Sequence, residues 1–172
     1  MLIAGGAIMR GENVKSPESL KPGIRNGARA VIVRDAKILL LRKVSPVYGE
    51  RYVLPGGSQE EGETLEQALR RECEEEIGAS IGIVDLMNVA DYFKPRLTTP
   101  ETYRQAVEFL FACTVDEEYV AQNGPRPDKN QVAVIWMPLD RLPHEPLFPK
   151  GLIPALRGVL PSGRPVYLGL VD

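Results

Sequence analysis

The stretch from Gly57 to Ala79, GSQEEGETLEQALRRECEEEIGA, constrains this chain more than any other. Thr64 is a good N-cap, and Gln67 three residues later completes a capping box. Gly78 supplies a stop. Between them Leu65, Ala68, Leu69, Cys73 and Ile77 recur at steps of three and four, the spacing of a buried helical stripe. At about 100° per residue, Glu72 and Glu76 fall inside the arc of that stripe, Glu75 flanks it, and Glu74 points to solvent. Three carboxylates on one face repel each other, and they crowd the end of the helix where the macrodipole disfavours anions. A cluster that breaks so many local rules is expected to face something cationic.

Hard divalent cations take carboxylate oxygens, and Mg²⁺ combines one or two of them with water and substrate phosphates. A solvated acidic patch is the bland alternative. The placement of Glu72 and Glu76 on the apolar stripe weighs against it. So does the Pro55-Gly56-Gly57 turn just upstream, where the backbone can approach a ligand closely.

With 172 residues, the chain is expected to form one main domain over residues 26–172, preceded by a tail or edge element at residues 1–25. A formal charge of −2 leaves no electrostatic footprint for long nucleic acid. No apolar run reaches the ~20 residues of a membrane span, and the apolar start has no basic region before it, so no secretory signal and no membrane association are expected. Cys73 and Cys113 read as free thiols packed as small hydrophobes, and the expected location is cytoplasmic.

Along the chain, Arg29–Arg34 and Lys37–Arg42 read as a hairpin turning at Asp35-Ala36, and Arg51–Leu54 as a short strand. Ile81–Phe93 reads as one or two strands, Lys94–Arg104 as a polar loop, Val107–Val115 as a strand, Asp116–Asn130 as a long loop and Gln131–Met137 as a strand. Leu139–Leu142 suits a helical turn, and Pro149–Leu160 has a helical pattern. The last dozen residues carry no clear pattern. Strands and helices without regular alternation indicate a mixed α+β protein.

The stretch resembles the Nudix box: Gly, five residues, Glu, seven residues, Arg-Glu, an aliphatic, any residue, Glu-Glu, any residue, Gly, an aliphatic. Gly57, Glu63, Arg71, Glu72, Glu75, Glu76 and Gly78 occupy all seven fixed positions. Cys73 and Ala79 stand where larger aliphatics are usual. The resemblance spans roughly Ala28 to Leu160. It implies a Nudix-type α/β/α sandwich with a mixed β-sheet, and hydrolysis of the pyrophosphate bond in a nucleoside diphosphate linked to another moiety. It implies Mg²⁺ or Mn²⁺ as cofactor, with Glu72, Glu75 and Glu76 as ligands and the Gly57 carbonyl as an additional one. Arg71 and Glu63 would form the ion pair that orients the carboxylates. The partner implied is a small nucleotide. The oligomeric state is not legible in the residues; many relatives form homodimers.

The general base stays open between Glu72, Glu76, Glu108, Glu117, Glu118 and Asp128. Arg29, Arg42, Arg51, Arg96 and Arg104 are candidate phosphate contacts, and Tyr48, Tyr92, Phe93 and Tyr103 candidate stacking partners for a base. Pro127–Val132 and Leu147–Lys150 resemble segments of the ADP-ribose pyrophosphatase-like branch, which points to ADP-ribose or a nucleotide sugar. His144 reads as incidental. Two alternatives remain at this stage: a catalytically silent Nudix-fold module that binds a nucleotide or a partner, and a hydrolase of nucleoside triphosphates or capped RNA.

Overall fold

The computed structural model describes residues 15, 17–96, 101–158 and 166–172. Most of the expected tail, residues 1–14 and 16, lies outside them; within 17–25 a short 3₁₀ turn, Pro17–Ser19, leads to Leu20, which bridges to Tyr103. The strands are β1 (Arg25–Arg34), β2 (Lys37–Ser45), β3 (Gly49–Val53), β4 (Gly56–Ser58), β5 (Gly82–Arg96), β6 (Thr102–Thr114), β7 (Gln131–Pro138) and β8 (Tyr167–Val171). The helices are α1 (Leu65–Ile77) and the short α2 (Ile153–Leu156). Strand order is β3-β2-β1-β6-β5-β8, with β4 beside β1 and β7 beside β2. The β1–β6 and β5–β8 pairs are parallel and the others antiparallel, so the sheet is mixed.

Side-chain alternation sorts the core into two layers. Ala28, Ala30 and Ile32 of β1, with Leu39 and Leu41 of β2, pack against Leu69, Cys73 and Ile77 of α1. Val31, Ile38 and Leu40 face the opposite way, onto Leu152, Ile153 and Leu156 around α2. The result is an α/β/α sandwich. Cys73 and Cys113 are buried in the α1 layer as free thiols, as expected. Among the described residues no helix is long and apolar enough to cross a membrane.

Local chemistry predicts several elements correctly. The Thr64 capping box is complete, with Gln67 N–H donating to Thr64 Oγ1 at 3.2 Å and Thr64 N–H to Gln67 Oε1 at 2.8 Å. Gly78 ends the helix at φ 63°. The β1–β2 hairpin turns at Asp35 and Ala36, both left-handed at φ 51° and 57°.

Four expectations need correction. Gly56 and Gly57 form the start of β4 rather than a free turn, because their backbone pairs with Ala28 and Arg29. Lys94–Arg104 is not one loop: β5 runs to Arg96, and β6 begins at Thr102, before the expected Val107. Cross-strand pairing from Phe93↔Gln105 to Arg96↔Thr102 overrides the polar composition. The helix expected over Pro149–Leu160 is a 3₁₀ turn (Lys150–Leu152) followed by α2. Pro154 is tolerated only in a first turn, and Gly158 at φ 66° ends the run; Val159 and Leu160 lie outside the described residues. The unplaced C-terminus carries β8, and the helical turn expected at Leu139–Leu142 forms at Leu142–His144.

Candidate active site

β1 contacts β2 only at the hairpin end, through Val33↔Ile38 and Arg34↔Lys37. Below that the strands part, and β4 pairs with β1 at Gly27, Ala28 and Arg29. This split opens a cavity of about 630 Å³ beside α1.

One wall is the carboxylate face of α1, where Glu72, Glu75 and Glu76 all line the cavity. Glu76 is 2% exposed, and its Oε2 accepts from the Gly56 N–H at 2.8 Å. Desolvation pushes its pKa from the ordinary 4.5 up to about 7, although the Gly56 amide and nearby Lys43 and Arg29 favour the charge. The Glu72 carboxylate lies against Gly57, so closely that a Cβ there would overlap it. Glycine at this position makes the cradle.

Arg71 binds the wall together. Its Nε and Nη2 donate to Glu63 Oε1 and Oε2 at 2.7 and 3.0 Å, Nη1 to Glu72 Oε1 at 3.1 Å, and Nη2 to the Ser58 carbonyl at 3.2 Å. Arg71, then the Glu60 amide, holds the Glu63 pKa down at about 2. The expected Arg71–Glu63 pair is therefore formed, bidentate, and tied to both β4 and Glu72. Replacing Glu63 by Gln should lower metal affinity or turnover about 10-fold or more with little change in melting temperature, since an orienting contact is lost rather than core packing. An unchanged titration of rate against metal concentration would contradict this.

The puzzle of acidic residues at a helix C-terminus is resolved by the segment 115–131. Gly124 N–H and Gln131 Nε2 donate to the Glu76 carbonyl at 2.9 and 2.7 Å, Arg126 N–H to the Glu75 carbonyl at 2.9 Å, and Tyr119 Oη to the Ile77 carbonyl at 2.9 Å. These donors cover the carbonyls that a helix end leaves open. The same segment brings Arg126 to within 2.5 Å of Glu75 and places Asp128 on Lys43.

Arg25, Arg29, Lys43, Arg51, Lys94 and Arg126 also line the cavity. Arg29 Nε donates to Glu108 Oε2 at 2.7 Å, and Nη1 donates to the Gly56 carbonyl. Burial opposes the Arg29 charge, but Glu108, with Glu76 and Glu72, outweighs it and raises its pKa. Glu108 thus faces the cavity, not solvent, and Asp128 also lines it.

Other sequence candidates lie elsewhere. Arg96 and Arg104 do not line the cavity: Arg96 is exposed at the end of β5, and Arg104 Nη1 donates to the Pro22 carbonyl at 3.1 Å. Their residues sit in the outer ends of strands instead of in a loop folded over the site. Arg42 pairs with Glu50 on the surface. Glu117 and Glu118 are exposed and outside the lining; Tyr103, half-buried with its hydroxyl donating to Glu101, is outside it too. Of the aromatic candidates Tyr92 lines the cavity; Tyr48 stands behind Arg51, and Phe93 is on the other face of β5.

Arg25, Lys43, Lys94 and Arg126 were not legible as site residues. Lys43 follows Leu39 and Leu41 onto the α1 face of β2 by ordinary strand alternation, and the bulge at this level leaves its extra residue, Val132, on β7. Arg126 arrives only through docking of its loop on α1.

The chain matches the family model described as NUDIX domain over residues 24–157, a span that includes the carboxylate wall, the glycine cradle and the Arg71–Glu63 brace. This chain belongs to the Nudix family. An ADP-ribose pyrophosphatase of Methanocaldococcus jannaschii is 39% identical over 59 residues, 34% of this chain and 35% of that one. A relative from Caenorhabditis elegans is 35% identical over 66 residues, 36% of this chain and 18% of its own length. The chain thus matches about a third or less of these curated relatives. A Nudix hydrolase structure from Nitrosomonas europaea superposes with a TM-score of 0.62 at 21% identity, covering 87% of this chain and 80% of that one. A UDP-X diphosphatase structure gives 0.57 at 25%, covering 88% and 70%. These likenesses establish the Nudix fold for the chain.

The donor set fits a divalent cation by chemistry: carboxylate oxygens from one rigid face, one of them buried enough to be pushed toward neutrality in the absence of positive charge. Among the described residues the three side chains do not form a closed cage. Glu72, Glu75 and Glu76 each hold a separate partner, in Arg71, Arg126 and the Gly56 amide.

Proposed function

We propose that this Nudix protein hydrolyses the pyrophosphate bond of a nucleoside diphosphate linked to another moiety, with ADP-ribose or a nucleotide sugar as substrate class. The observation that carries this reading is one cavity lined both by the three carboxylates of α1 and by the cationic side chains of Arg25, Arg29, Lys43, Arg51, Lys94 and Arg126. Glu72, Glu75 and Glu76, with the Gly57 carbonyl, would hold Mg²⁺ or Mn²⁺, which supplies charge neutralisation at the phosphates and an activated water. Arg29 and Lys43 then orient the phosphate oxygens, and Arg71 keeps Glu72 in place through its hold on Glu63. A carboxylate of this cavity takes the proton of the attacking water; Glu72, Glu75, Glu76, Glu108 and Asp128 are the acidic groups already named that line it. The name of the Methanocaldococcus relative supports ADP-ribose as the first compound to assay. The two buried free thiols suit a reducing compartment, and we assign the cytoplasm as its place of action.

The test is product release from ADP-ribose, other nucleotide sugars, dinucleoside polyphosphates and nucleoside triphosphates, with Mg²⁺ or Mn²⁺ and with chelator. Metal-dependent release of a nucleoside monophosphate from the first two groups is the expected result. Binding without turnover across the panel would instead establish a silent binding module.

A further inference from the structure

The cations nearest the carboxylates are compensated: Arg29 by Glu108, Lys43 by Asp128, Arg126 by Glu75. The wall farther along β5 is different. Among the described residues Lys94 forms no ion pair, and although the residue is exposed, desolvation at the cavity wall and then the charges of Arg29, Lys43 and Arg51 lower its pKa. Tyr92, on the same face two residues earlier, is 5% exposed, and its hydroxyl has no hydrogen-bond partner among the described residues. Leaving a buried polar group unsatisfied is destabilising unless a ligand completes it.

The surroundings hold these groups in place. Phe148 stands edge-on to Tyr92, 5.6 Å between centroids at 85°, and the Arg51 guanidinium lies 4.8 Å from the Tyr48 ring centre and 5.9 Å from that of Phe148. Arg51, Tyr92, Lys94 and Phe148 all line the cavity.

Strand register shows where this group sits. Glu108 pairs with Ala90, Ala106 with Tyr92 and Arg104 with Lys94. At about 3.3 Å per residue, the backbone of Tyr92 and Lys94 lies roughly 7 and 13 Å along the strand beyond Glu108. That direction leads away from Gly56 and Arg29, the level at which Glu76 is anchored. The span exceeds what the one bridging oxygen of a pyrophosphate covers.

We propose that Lys94, Arg51 and the Tyr92 hydroxyl form a subsite for an anionic group, a phosphate or carboxylate, carried by the substrate beyond its scissile pyrophosphate. The word scissile rests on the hydrolase reading above; the anion site itself does not. Lys94 Nζ and the Arg51 guanidinium donate to the anion's oxygens, and Tyr92 Oη gives its hydrogen to the same group, satisfying the buried hydroxyl. Within the substrate class, compounds whose second moiety bears its own negative charge are then preferred over those whose second moiety is uncharged.

Two matched pairs test this: UDP-glucose against UDP-glucuronic acid for a carboxylate, and ADP against ATP for an added phosphate. Affinity is measured by calorimetry in chelator, where turnover is not needed, and kcat and KM are measured with Mg²⁺. At least one anion-bearing member should bind wild-type protein about 10-fold more tightly than its partner, as expected for charge-assisted hydrogen bonds. The pair showing the larger difference identifies carboxylate or phosphate as the source. Lys94→Gln should erase the difference, Lys94→Arg should keep most of it, and Tyr92→Phe should reduce it, the change appearing in KM for the member that carries the extra anion. A wild-type protein with no preference in either pair would overturn the proposal. So would a Lys94→Gln variant that weakens both members equally, which would put Lys94 on the pyrophosphate. A binding preference without hydrolysis of any compound would support the subsite and refute the hydrolase reading.

Discussion

Glu76→Gln is expected to reduce metal-dependent hydrolysis on the order of 10²–10³-fold, the scale of losing one charge-stabilising contact at a reacting centre. The same variant should melt at a higher temperature than wild type in chelator at alkaline pH. The reason is the burial of a carboxylate at 2% exposure, which raises its pKa from 4.5 to about 7. Below the ordinary value Glu76 is neutral in folded and unfolded chains alike and costs nothing. As pH rises from there toward the folded value, the unfolded chain releases the proton and the folded chain keeps it, so stability falls. Above about 7 the loss is complete, and the interval from 4.5 corresponds to roughly 3 kcal/mol. Glutamine carries no charge and still accepts from the Gly56 amide. The variant should therefore gain about 1–3 kcal/mol at about pH 8, roughly 2–10 °C for a domain of this size, and almost nothing near pH 5. Adding Mg²⁺ should raise the melting temperature of wild type and leave the variant nearly unmoved. Equal melting curves at both pH values would show that Glu76 is not the buried acid described here.

Gly56→Ala and Gly57→Ala should separate stability from activity, though the residues are neighbours. Gly56 has φ 120°, and a Cβ there would collide with the Ala28 carbonyl oxygen and press on the Arg29 Cα, both backbone atoms of β1. Relief requires parting β4 from β1, which also moves the amide that anchors Glu76 and the carbonyl that accepts from Arg29. The unfavourable dihedral alone costs about 1–3 kcal/mol. With the collision added, a fall in melting temperature on the order of 10 °C is expected. At Gly57 the obstacle is the far end of the Glu72 side chain, which can turn aside. Gly57→Ala should melt near wild type and lose apparent metal affinity, because Glu72 leaves the cradle. Thermal melts paired with metal titrations of rate check both; a Gly57→Ala variant that unfolds early would mean that Glu72 cannot move.

Much of the site was legible because its chemistry is local. Capping and helical period place Glu72, Glu75 and Glu76 relative to one another before any tertiary contact is considered, whereas the pairing of Arg71 with Glu63, present here as a bidentate contact, came only from the resemblance to the Nudix box. The cationic lining was only partly legible. Arg29 and Arg51 line the cavity, whereas Arg96 and Arg104 do not, and Arg25, Lys43, Lys94 and Arg126 went unrecognised. A charged residue in a strand reads the same whether its face meets a cavity or water.

By itself, then, the amino-acid order determined the helix, its caps and the inward carboxylates, since each depends on residues within about four positions of one another or on a single turn. Only the tertiary structure decided what those carboxylates face. The parting of β1 from β2, the docking of Gly124 and Arg126 on the end of α1, and the approach of Phe148 to Tyr92 are long-range events. They bring the cations to the cavity that the acids line, and they left the Tyr92 hydroxyl and Lys94 without partners of their own among the described residues.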